Sequence, residues 1–204
     1  MFHVKHFIIL KLFDNCCNIY VIQGDAPRYR GTLLDTPEPS PKEVSMDVRS
    51  TAKAIIIENN RILLNKCYDK NNGHYYSLPG GGQNKYETLH DAIIRECLEE
   101  TGYDVTPIRF CGICEEICDN EETREFYSQY AHKLYHIYLC NLASDICHTP
   151  TEVDDMQEAC QWIDINELDN IRLLPSMVGD NIRKLIDSDI PLDMGSIHIP
   201  YNHG

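Results

Sequence analysis

The spacing of apolar and polar positions separates strands from helices along this chain. Residues 50 to 57 and 61 to 66 are rich in aliphatic and β-branched residues and flank Glu58-Asn59-Asn60, which predicts two strands joined by a hairpin turn. Asn71-Asn72-Gly73 is a second turn, and Tyr75 to Leu78 predicts a short strand. The period then becomes helical. Leu89, Ile93 and Cys97 fall at i, i+4 and i+8 with Ala92 beside them, a stripe that can pack on a sheet. Val105 to Cys118 predicts one or two strands, and Asp119 to Glu125 a charged loop. Ala131 to Leu142 carries bulky residues at both parities, as a central strand does. Gln161 to Ile165 predicts a further strand, and Asn166 to Leu168 a short helix or turn. Val178 to Ile186 predicts a second helix, with Val178, Ile182 and Leu185 on one side. No internal repeat is visible.

The ends differ from this core. Phe7 to Phe13 is a short apolar run broken by Lys11, and residues 36 to 42, Thr-Pro-Glu-Pro-Ser-Pro-Lys, have the composition of a linker. The expected organisation is an N-terminal extension with a Pro-rich linker over 1–45, a domain over 46–190, and a C-terminal tail over 191–204. Two readings of 1–45 stand level: an accessory segment, with Met46 as the natural start, or a strand or helix packed on the domain.

The stretch from Gly81 to Tyr103 carries the chemistry. Thr88 followed by Asp91 is similar to a capping box that starts the helix, and Gly102 stands where a helix C-cap is expected. Glu96, Glu99 and Glu100 crowd one flank of that helix. Like charges at this spacing cost roughly a few tenths of a kcal/mol per pair on a solvated helix. A site for a hard cation gives a reason to place them there, since Mg²⁺ takes oxygen ligands and is held by one or two carboxylates plus substrate phosphates. Arg95 is placed to orient these carboxylates. Before the helix, Leu78-Pro79-Gly80-Gly81-Gly82 has a fixed entry and three residues that let backbone approach a ligand closely.

Gly81, Glu87, Arg95-Glu96-Cys97, Glu99-Glu100 and Gly102-Tyr103 resemble the Nudix box, Gly-x5-Glu-x7-Arg-Glu-U-x-Glu-Glu-x-Gly-U, with U a bulky aliphatic residue. All seven fixed letters match. Cys97 and Tyr103 depart mildly at the U positions, and Tyr86 stands where family members often have Gly. The box covers 23 residues directly, and a weaker flanking pattern extends over 46–178. The resemblance implies an α/β fold with a mixed sheet, an α/β/α sandwich in which the box forms a loop-helix-loop. It implies a Mg²⁺-dependent pyrophosphohydrolase, with Mn²⁺ as an alternative ion, acting on a nucleoside diphosphate linked to another moiety or a related nucleotide. Metal ligands would be Glu96, Glu99, Glu100 and the Gly81 carbonyl. Glu99, or an acidic residue outside the box, would be the general base, with Arg95 as orienting partner and Glu87 bracing the loop against the helix. The downstream proline associated with ADP-ribose cleavage is missing from Cys118 to Asn120. Two other readings stay open: a non-catalytic nucleotide sensor, which the intact carboxylates disfavour, and an RNA 5′-end pyrophosphohydrolase.

Charge bears on partners. The 204 residues carry a formal net charge of −14 with no Lys/Arg cluster, so nucleic acid is disfavoured and the expected partner is a small nucleotide diphosphate. A homodimer is left open. Ten cysteines at irregular spacing, with no secretion signal and no membrane-length apolar run, are expected to be reduced thiols of a cytoplasmic protein. Cys111, Cys114 and Cys118 suit packing better than zinc, with Cys114 and Cys118 on one strand face and Cys111 on the other. His132 and His136 lie about 13 Å apart on an extended strand, too far for one metal, and packing is their default role. Of the spare carboxylates Glu115, Glu116, Glu121, Glu122, Asp154, Asp155 and Glu158, the segment before Trp162 is the expected source of an extra ligand, with Glu158 the candidate. Trp162 is expected in the core.

Overall fold

A computed structural model describes residues 48–152 and 154–201. The proposed extension over 1–45 lies outside them. The first two aliphatic runs form β1 (Arg49–Glu58) and β2 (Arg61–Asp69), antiparallel across a turn in which Asn59 and Asn60 both take positive φ. Asn tolerates the left-handed region better than other side chains, and such a turn matches the natural twist of the strands. The remaining elements are β3 (Gly73–Ser77), α1 (Leu89–Thr101), β4 (Tyr103–Cys118), α2 (Glu121–Phe126), α3 (Ser128–Ala131), β5 (His132–Cys147), β6 (Gln157–Asp164), a 3-10 helix over Ile165–Asn170, β7 (Leu173–Leu174), α4 (Ser176–Asp187) and β8 (Leu192–Ile199).

The strands form one curled mixed sheet in the order β7-β3-β2-β1-β5-β4-β8, with β6 on β2. β1 and β2 pair only near their hairpin. Beyond it β1 runs parallel to β5, while β2 runs antiparallel to β3 and β6. This divergence gives each half of the hairpin its own set of partner strands within the sheet, and β5 is central, between β1 and β4.

A helix covers each face. Ala52, Ala54 and Ile56 of β1 pack with Ala92, Ile93 and Cys97 of α1. Their neighbour Ile55 points the other way, into a core with Val178, Ile182 and Leu185 of α4. The small Ala side chains let α1 come close to β1. α1 starts at Thr88, whose hydroxyl accepts the Asp91 N–H, and ends at Gly102 with φ 76°. That is the predicted helix with both predicted caps.

Three expectations change. The charged loop over Asp119 to Glu125 contains α2, because Asn120 caps it by accepting the Thr123 N–H and Glu121 and Glu122 sit in its first turn. Within the tail expected from 191, Leu192–Ile199 joins the sheet as a strand parallel to β4. Cys111 and Cys114 share one core rather than facing opposite ways, since β4 shifts register between Phe110 and Gly112 and its alternation restarts there. All eight cysteines among the described residues are free thiols. Trp162 packs against the α1 core, as expected. No helix among the described residues is long and apolar enough to cross a membrane.

Candidate active site

The glycine loop runs beside β1 as if it were another strand. The Ala54 N–H donates to the Pro79 carbonyl at 2.8 Å, Ala52 to Gly81 at 2.9 Å, and Gln83 to Ser50 at 2.9 Å. The Lys53 ammonium donates to the Gly80 carbonyl. Gly80 takes φ 116°, where an L side chain is strained, and a Cβ there would strike the Ala52 carbonyl oxygen. The turn aims the Gly80 N–H at Glu100, which accepts it at 2.9 Å and accepts the Asn65 amide at 2.8 Å. Glu100 is buried, and burial pushes its carboxyl up to about 7. Lys53 works against that shift, and Asp154 adds to it.

Arg95 ties the rest of the box together. Its guanidinium donates twice to Glu87, at 2.8 and 2.9 Å, and to the Gly82 carbonyl at 2.9 Å. It also reaches Glu96 at 2.8 Å and Glu99 at 3.0 Å. Glu87 lies before the helix and accepts the Asn84 N–H at 2.8 Å, and Arg95 holds its carboxyl below the usual range. So Glu87 joins loop to helix, while Glu96 and Glu99 turn toward a separate acidic pocket. Gly81 meets that pocket beside Glu96; a Cβ at Gly81 would collide with the Glu96 carboxylate. The space next to this carboxylate exists because residue 81 has no side chain.

The acidic pocket encloses about 370 Å³, with Glu96, Glu99 and Glu100 on one side and Glu152, Asp154 and Asp155 on the other. The second set arrives on the β5–β6 connection. The Thr151 and Glu152 N–H groups donate to the Glu99 carbonyl at 3.0 and 3.2 Å, which pins that segment to the end of α1. The expected extra carboxylate, Glu158, is elsewhere: it pairs with Lys66 at 3.0 Å and His74 at 3.4 Å. Its position on β6 turns it to that ion pair, so Asp154 and Asp155 replace it as candidates. Among the described residues no three His, Cys, Asp or Glu side chains stand as a ready metal-binding group. The donor set nonetheless suits a hard cation. Arg95 engages one oxygen each of Glu96 and Glu99, and the Gly81 carbonyl has a second lone pair beyond the Ala52 N–H it accepts.

Other residues singled out from the sequence lie apart. His132 bonds Glu115 at 2.7 Å, and His136 bonds the Thr51 carbonyl at 3.1 Å. Sequence reasoning passed over the cations beside the acidic pocket. Arg49, Thr51 and Lys53 alternate along β1, and Lys133 and Tyr135 along β5; all five line a larger cavity of about 600 Å³. That alternation was the available signal: Arg49 and Lys53 stand four positions apart on one face of a strand whose second half is mostly aliphatic.

Comparison with known proteins fits this geometry. The NUDIX domain family model matches residues 48–186. A NUDIX hydrolase structure from Nitrosomonas europaea is 21% identical, with a TM-score of 0.54, covering 71% of this chain and 93% of that one. A mutator MutT protein from Bacillus halodurans is 15% identical, with a TM-score of 0.53, covering 75% and 91%. A MutT protein from Methanosarcina mazei is 18% identical, with a TM-score of 0.51, covering 70% and 96%. At these identities the likeness shows the fold. No curated protein matches the chain. With its family model matched from β1 to the end of α4, this chain belongs to the Nudix family, hydrolases of phosphoric anhydride bonds that generally use divalent metals.

Proposed function

We propose that this protein is a Mg²⁺-dependent pyrophosphohydrolase that cleaves the diphosphate of a nucleoside diphosphate linked to another moiety, or of a related nucleotide. The observation that carries the reading is the meeting of Glu96, Glu99 and Gly81 at an acidic pocket that opens beside a basic cavity. Glu96, Glu99 and the Gly81 carbonyl would hold the ion, with Asp154 or Asp155 completing the set. Bound there, a divalent cation lowers the pKa of water and neutralises phosphoryl charge. The chain's own residues do the rest. Arg95 fixes the carboxylates before substrate arrives, so no reorganisation is needed during the reaction. Glu99 takes a proton from the attacking water as its oxygen bonds to phosphorus. The bond from that phosphorus to the bridging oxygen breaks, and two phosphate products leave. Glu100 accepts the Gly80 N–H and the Asn65 amide on one oxygen, which holds the loop in register, and its other oxygen would join the ligand set from the same pocket.

The compartment we infer is cytoplasmic, in keeping with eight free thiols among the described residues. The test is product release from ADP-ribose, nucleotide sugars, dinucleoside polyphosphates, nucleoside triphosphates and 5′-triphosphate RNA, each with Mg²⁺, Mn²⁺ or chelator. Glu99→Gln should keep the melting temperature and lower turnover by about 10²–10⁴-fold. Near-normal turnover of that variant would remove Glu99 from the catalytic role. Tight nucleotide binding without turnover under any metal would make the protein a sensor.

A further inference from the structure

The two pockets share Arg49, Gly81, Asp154 and Asp155, so a ligand held in the acidic pocket has its other end in the larger cavity. At about 600 Å³ that cavity is in the range of small-molecule sites. Its floor and wall differ in chemistry. The floor is basic: Arg49 and Lys53 share a face of β1, and Arg49 stands opposite Lys133 across the β1–β5 ladder. Lys133 is buried, and burial, with Lys53 and Arg49 close by, lowers its pKa; Glu116, opposite it on β4, works the other way. Glu116 offsets part of the repulsion among these three cations, and an anion seated above them would offset more of it.

The wall is aromatic. Tyr127 and Tyr130 come from the α2–α3 segment between β4 and β5, and both line the cavity. Tyr127 is 57% exposed and Tyr130 38%, unusual for rings that could pack inward. The Arg49 guanidinium lies 4.9 Å from the centre of the Tyr130 ring, which backs that ring and ties the wall to the floor. Distant charges of the −14 total are screened over about 8–10 Å, and of the groups that line the cavity Arg49, Lys53, Lys70 and Lys133 are basic against the acidic Glu122, Asp154 and Asp155.

We propose that this cavity seats the nucleoside half of the substrate, with the base against Tyr127 and Tyr130 and the adjoining phosphate over Arg49, Lys53 and Lys133. This deepens the reading of the protein as a nucleotide hydrolase and rests on it, but binding tests it without catalysis. A non-nucleotide polyphosphate would use the same floor and ignore the wall.

The experiment is equilibrium binding to the full chain in chelator, with AMP, GMP, CMP, UMP and ribose 5-phosphate as probes. The best of the four nucleotides should bind about tenfold tighter than ribose 5-phosphate, the scale of one base stacked on an aromatic ring. Tyr127→Leu and Tyr130→Leu should each erase most of that advantage, with ribose 5-phosphate binding unchanged in the Tyr127 variant, since Tyr130 also contacts Arg49 of the floor; Tyr130→Phe should retain the advantage. Tyr127 is the more exposed of the two, so its variant keeps the test available if the Tyr130 variant is unstable. Equal affinity for ribose 5-phosphate and every nucleotide, or an advantage untouched by both leucine variants, would overturn the assignment. Glu99→Gln separates the two readings: it should retain the nucleotide advantage even where turnover is lost. An advantage in the unsubstituted protein without turnover of any substrate under any metal would overturn the hydrolase and keep the cavity assignment.

Discussion

Tyr86 lies just before Glu87 with φ 71° and its ring 93% exposed. The left-handed region costs an L residue roughly 1–2 kcal/mol, and glycine avoids that cost. This explains why Gly suits the position in the wider family and why Tyr is tolerated: the ring clashes with nothing, and the penalty is small beside a domain's stability. Replacing Tyr86 by Gly removes the strain but adds unfolded-chain entropy of about 0.5–1 kcal/mol. It also removes a weak Lys85–ring contact at 5.0 Å. The strain is the larger quantity, so Tyr86→Gly should raise the melting temperature by about 1–3 °C in calorimetry. A fall would mean that the tyrosine makes a compensating contact. Gly81 is the opposite case. Its φ is ordinary, and what excludes a side chain there is the Glu96 carboxylate.

Among the elements, α1 and the glycine loop act as one unit because Arg95 bonds both. Its partners Glu87, Gly82, Glu96 and Glu99 span the loop and about one turn of the helix. Breaking a fully buried pair costs about 3–5 kcal/mol, but the Arg95 side chain is 28% exposed and solvent takes up part of the loss. Arg95→Met should therefore destabilise by about 2 kcal/mol, seen as a drop of about 4–8 °C in melting temperature. Mg²⁺ should recover part of the drop if Glu96 and Glu99 hold the ion, since it replaces the lost positive charge. No loss of stability would show that the loop holds its place through its β1 hydrogen bonds alone.

At the scale of the whole molecule, the thiols report on packing. Burial pushes Cys114, Cys140 and Cys160 up to about 12, and it raises Cys97 well above the usual thiol range. Only thiolates react readily, so these are inert while the fold is intact. Cys147 is exposed at the end of β5. Under native conditions, mass-mapped alkylation should modify Cys147 before any other cysteine in 48–201, and the rest should follow only with unfolding. Early labelling of Cys111 or Cys114 would mean that the sheet opens between β4 and β5. Their common core came as a surprise for a local reason: one bulge between Phe110 and Gly112 reverses the alternation a regular strand would have.

The features legible in the sequence alone are those settled within a few residues. The caps of α1 at Thr88 and Gly102, its apolar stripe, the Asn59-Asn60 turn and the spacing of Glu96, Glu99 and Glu100 depend on helix and turn geometry, which repeats at short range. The family resemblance rests on the same short stretch. Tertiary structure decided the rest, because those features join distant segments. Asp154 and Asp155 rather than Glu158 face the box, since a backbone tether to Glu99 carries their connection there. Arg49 and Lys133, 84 positions apart, meet because β1 and β5 pair in parallel. The aromatic wall required α2 and α3 to fold beside β1, and β8 found its place only on the exposed edge of β4. Neighbours along the chain obey local sterics, whereas neighbours across a sheet are chosen by register, and register depends on the whole set of strands.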